Sequence, residues 1–166
     1  PIMMMGNPTI GSQPEWFEDR IEGRAPKRFS AMNAYALAKG FAALYFGAWA
    51  RRHPEYTVLT VSPGATDGTE AFTAPAMPGH FKVMLPMMTP VMKLLGYFHN
   101  VDVGAKRYVD AVLGENDMAG FKSGTFVASK RGTSGKVMDQ AKMRKARKYA
   151  DTTKQDAAFA AISKFT

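Results

Sequence analysis

A phenol and an ammonium stand four residues apart in Tyr35-Ala36-Leu37-Ala38-Lys39. On a helix that spacing puts both groups on one face, about one turn apart. A free tyrosine ionises near pH ~10, too high for ready proton exchange at neutrality, and an adjacent cation brings that value down by stabilising the phenolate. The pair is therefore a candidate acid/base with its own electrostatic partner. Taken alone the spacing is common on helices and specifies no chemistry. Metal chemistry has no comparable signal: His53, His80 and His99 are far apart, no HxxxH or paired-carboxylate pattern accompanies them, and cysteine is absent.

The elements that must position the pair can be read from local signals. Ser30 offers an N-cap, and residues 31–53 are dense in Ala, Leu, Phe, Met and Lys with no proline before Pro54, which predicts a long helix carrying Tyr35 and Lys39. Its Leu37, Phe41, Leu44, Tyr45, Ala48 and Trp49 exceed a single apolar stripe, so burial on two sides is expected. Residues 56–61, Tyr-Thr-Val-Leu-Thr-Val, predict a short buried strand that ends at the turn Ser62-Pro63-Gly64. Four prolines, Pro75, Pro78, Pro86 and Pro90, cut the Met-rich stretch that follows into short pieces. Apolar residues at helical spacing over 101–113 predict another helix stopped by Gly114, and 124–129 predict a second strand. The first 29 residues read as loop with one short helical turn, and 137–165 reads mostly as helix.

A Tyr-x-x-x-Lys pair on a long helix, followed by a strand and then Pro-Gly, resembles the C-terminal half of the short-chain dehydrogenase/reductase family. The likeness covers roughly residues 30–130. It implies an α/β fold, the C-terminal part of a Rossmann-like doubly wound parallel sheet with a helical substrate-binding lobe at about 72–100. Residues 1–130 would form that half-domain and 131–166 a basic, mostly helical extension. The implied activity interconverts an alcohol and a carbonyl by hydride transfer, with NAD or NADP as cofactor. Tyr35 would be the acid/base and Lys39 its partner, holding the nicotinamide ribose as well. The turn Pro63-Gly64 would pass the nicotinamide, and Thr66 or Thr69 would contact its amide; turn capping accounts equally well for both threonines.

The sequence departs from the family pattern in its first half. No Gly-rich turn of the kind that binds a pyrophosphate at a helix N-terminus occurs, and the family's Asn-Ala-Gly segment is missing. The family's serine falls about a dozen residues before the tyrosine, where this chain has Glu22; Ser12 is the candidate within the chain, and Ser30 is better explained as the helix cap. Either a longer protein or a truncated, non-catalytic relative serving as an oligomerisation and interaction module fits these departures.

Composition sets the remaining bounds. With 46% apolar and 22% charged residues the chain is expected to fold as a globular domain, and the cytoplasm is the expected compartment. Its most apolar stretch is broken by Lys82, Pro86, Pro90 and Lys93, so an uninterrupted span of about 20 apolar residues is lacking and no transmembrane segment is expected. The net charge of +8 comes partly from Lys142, Arg144, Lys145, Arg147 and Lys148, which a helix would spread over a solvated face; nucleic acid is not an expected partner. A homodimer or homotetramer through the 31–53 helix is the expected assembly.

Overall fold

The computed structural model describes residues 8–28, 30–66, 87, 90–91, 94–130 and 134–166. Among them four α-helices and a three-stranded mixed sheet make a mixed α/β arrangement. Helix α1 spans Pro14–Ile21, longer than the single turn expected. Its end signals are nonetheless local: Pro14 at the first position, Glu15 in the first turn and Arg20 in the last.

Helix α2 spans Ala31–Arg52, as its composition predicts. The Ser30 hydroxyl accepts from the Asn33 backbone N–H at 3.4 Å, which satisfies one of the donors that every helix start leaves without a partner. Strand β1, Thr60–Val61, runs parallel to β2, Phe126–Ser129, with Thr60 opposite Phe126 and Val61 opposite Val127. Parallel strands need a long crossover, and this one contains helix α3, Val101–Leu113. Asn100 caps its start, and Gly114 ends it in the left-handed region at φ 68°.

The C-terminal quarter differs most from expectation. In place of a mostly helical 137–165 there is a strand, β3 (Val137–Asp139), two 3-10 turns at Gln140–Lys142 and Arg147–Ala150, and helix α4, Thr152–Ile162. Strand β3 pairs antiparallel with β2, Ser129 opposite Val137. Tertiary contacts override the helical propensity here. The Gln140 amide is buried and donates to the carbonyl oxygens of Ala128 and Met138, at 3.1 and 3.3 Å, and Tyr149 is buried in the core. The basic residues 142–148 consequently lie on two 3-10 turns and the link between them, not along one helix face.

Helix α4 packs on α2 through small residues. Ala157, Ala158 and Ala161 join Phe17, Phe41 and Leu44 in the main core. A Cβ at Gly47 would come within 2.5 Å of the end of the Gln155 side chain, so this amide lies directly over Gly47 where the two helices meet. Trp16, Phe17 and Phe41 close the other end with ring centroids 5.0 to 6.0 Å apart. The segment beyond residue 130 thus supplies both a strand and a core helix. Among the described residues no helix is long and apolar enough to cross a membrane.

Candidate functional site

Tyr35 and Lys39 lie on the face of α2 that turns away from this core. The Lys39 Nζ stands 5.6 Å from the centroid of the Tyr35 ring, and the phenol is 45% exposed. Together with Phe46, Pro63, Gly64 and Tyr108 they line a cleft of about 380 Å³ beside β1. The pair and the Pro-Gly turn, 24 or more residues apart in sequence, are therefore brought together. Gly64 sits at φ 89°, and its N–H donates to the Ser62 hydroxyl at 3.3 Å. That conformation favours glycine and keeps the cleft wall free of a side chain there.

The turn is held from behind by His99 and by Arg107, the second of which sequence reasoning did not single out. The Pro63 carbonyl accepts from the His99 Nε2 at 2.6 Å and from the Arg107 Nη1 at 3.0 Å. A carbonyl only accepts, so Nε2 carries the imidazole proton. Arg107 is buried, and the same guanidinium donates to the Ser129 hydroxyl and to the Gly135 carbonyl, each at 2.9 Å. One side chain on α3 thereby ties the end of β1 to the end of β2 and to the loop before β3. Burial pushes the Arg107 guanidinium below its ordinary value, with Asp117 opposing. His99 is held below the usual histidine value chiefly by burial, which outweighs the opposing bond to Pro63, with a smaller contribution from the Arg107 charge. Nothing local marks Arg107: in sequence it is one basic residue beside Lys106 on a helix.

Tyr108 was also missed. Burial first, and the neighbouring Tyr35 second, raise its phenol above the ordinary value. A wider cavity of about 820 Å³ lies on the far side of the turn, between α3 and the β2–β3 loop. Its main carboxylate, Asp110, is engaged by Lys106 at 2.7 Å and by Asn116 at 2.9 Å, and these bonds hold it below the ordinary aspartate value. The smaller cleft, which holds the Tyr-Lys pair, is the stronger candidate for chemistry.

Two of the expected site residues do not line that cleft. Ser12 accepts a hydrogen bond from the Lys154 Nζ at 2.7 Å, on the side of α1 and α4. It is held there because Ile10 is buried in the core and Gly11 packs under the Trp16 ring. Thr66 is buried against α3, where a Cβ on Gly104 would come within 3.1 Å of its hydroxyl. Its backbone forms a bridge with His99. Thr69 lies outside the described residues, as does most of the 72–100 stretch assigned to a substrate lobe. Comparison with protein-family models, with curated proteins and with solved structures gave no match to this chain.

Proposed function

We propose that the chain carries the tyrosine-lysine side of a short-chain dehydrogenase/reductase-like site and interconverts an alcohol and a carbonyl with NAD or NADP. The observation that supports this reading is the convergence of Tyr35, Lys39, Pro63 and Gly64 on one cleft. The nicotinamide cofactor would supply hydride to the carbonyl carbon, or take it from the alcohol carbon. The Tyr35 hydroxyl gives its proton to the carbonyl oxygen during reduction and receives one from the alcohol during oxidation. Lys39 and the glycine turn suit the ribose and nicotinamide end of the cofactor, because one offers an ammonium donor and the other a backbone without a side chain. On this reading β1 and β2 are two strands of a larger doubly wound parallel sheet.

The test is a titration of the protein with NADH and with NADPH, followed by nicotinamide fluorescence. Saturable binding of one dinucleotide, weakened on the order of tenfold in Lys39→Ala, is expected. Carbonyl reduction should then fall on the order of 10²-fold or more in Tyr35→Phe. No saturation with either dinucleotide would overturn the proposal, as would turnover that Tyr35→Phe leaves unchanged. A non-catalytic relative serving as an interaction module is the second reading; the engagement of Ser12 by Lys154, away from Tyr35, favours it.

A further inference from the structure

The basic stretch between β3 and α4 is folded against the body of the protein. Backbone N–H groups of Met143, Ala146 and Tyr149 donate to the carbonyls of Gln140, Met143 and Ala146, at 2.9, 2.9 and 3.0 Å. Successive three-residue turns of this kind bring every third side chain to the same side. Gln140, Ala146 and Tyr149 are buried, and Met143 packs against the main core. The positions between them are left outside, and four of these are Lys142, Arg144, Lys145 and Arg147, all exposed.

Their charge is left uncompensated among the described residues. Residues 140–150 contain no carboxylate. The two that flank the stretch are engaged by backbone at the starts of a turn and a helix. Asp139 accepts from the Ala141 N–H at 2.8 Å, and Asp151 from those of Thr153 and Lys154 at 3.0 and 3.3 Å. Among the described residues none of the four cations forms an ion pair, whereas Arg51, Arg52 and Lys164 are each held by a carboxylate.

A patch of this charge calls for an anionic partner, and the shape of its support says which class. A duplex groove is read by an α-helix or a two-stranded ribbon, and this stretch is neither. The bases of a single strand stack on exposed rings, and the one ring within 140–150 is Tyr149, which is buried. A surface of anionic lipid headgroups makes neither demand, because it attracts clustered lysine and arginine by charge alone. We propose that Lys142, Arg144, Lys145 and Arg147 dock the protein peripherally on acidic lipid bilayers. No described helix is long and apolar enough to cross a membrane. Attachment is then electrostatic and reversible, and it weakens with salt. The inference is independent of the proposed activity.

Co-sedimentation with vesicles at low ionic strength is the test. The chain should pellet with phosphatidylcholine vesicles that contain phosphatidylserine and stay in solution with phosphatidylcholine alone. Each Lys or Arg at such a surface changes partition about fivefold. Replacing all four by Gln should therefore weaken binding on the order of 10²-fold, with an unchanged far-UV spectrum. A second variant, in which the exposed Lys27, Arg28, Lys122 and Lys130 become Gln, lowers the net charge of +8 equally and should keep most of the binding. No binding to the acidic vesicles, or an equal loss in both variants, would overturn the proposal. Tighter binding to a short DNA duplex, lost in the first variant alone, would overturn it as well and assign the patch to nucleic acid.

Discussion

Helices α2 and α3 both pack on β1, but they place their apolar residues in opposite ways. In α2 the residues Phe41, Ala43, Leu44 and Ala48 are buried, and α4 and α1 complete the cover within the chain. In α3 the inward side is a polar staple and the outward side is apolar. Stability on the α2 side rests on burial and close packing. On the α3 side a small apolar cluster of Met118, Val127 and Val137, with Ala111 packed against it, is joined by hydrogen bonds that are directional and break singly. The candidate site lies where the two regimes meet, with its Tyr-Lys pair on α2 and its Pro-Gly turn clamped by α3.

Core truncation on α2 should have the largest effect. Leu44 is fully buried, and Leu44→Ala should cost about 3 kcal/mol or more, read as a lower midpoint of denaturant unfolding. A loss below about 1 kcal/mol would mean that the α2–α4 contact is looser than its small residues suggest.

Next comes the staple. Arg107→Met keeps much of the side-chain length but removes the bonds to Pro63, Ser129 and Gly135, and should cost about 2 kcal/mol. Backbone amide exchange should accelerate around residues 62–66, 129–130 and 134–135 while α2 stays protected. Uniform acceleration across both helices would erase the contrast between them.

The smallest expected effect is a pH dependence. His99 sits below the usual value of 6.5 when folded, so the unfolded chain binds the proton first as pH falls. Stability is then full above the unfolded value and declines as pH drops through 6.5 toward the folded one. His99→Phe should flatten that part of the stability profile and leave the decline at lower pH. An unchanged slope would show that His99 is not the group responsible.

Much of the backbone plan was legible in the sequence. Ser30 and Pro54 bracket α2, and Gly114 ends α3, because capping and chain-breaking act within a few residues. The Tyr35-Lys39 pair was legible for the same reason, since helical periodicity alone places the two groups on one face. Strand β3 was not legible. Three residues carry too little local preference, and the paired edge of β2 decides their state. The staple was equally hidden: Arg107 reaches partners 22, 28 and 44 residues away, and no local pattern separates such an arginine from one on the surface. The position of Ser12 also followed from the fold, since packing of Ile10 and Gly11 carries it to Lys154 and away from the tyrosine. The sequence determined by itself where α2 and α3 lie and which of their residues share a helix face, because those interactions span a single turn. Only the tertiary structure decided which faces are covered and which distant groups meet, because burial and hydrogen-bond satisfaction depend on surfaces that the chain brings together from far apart.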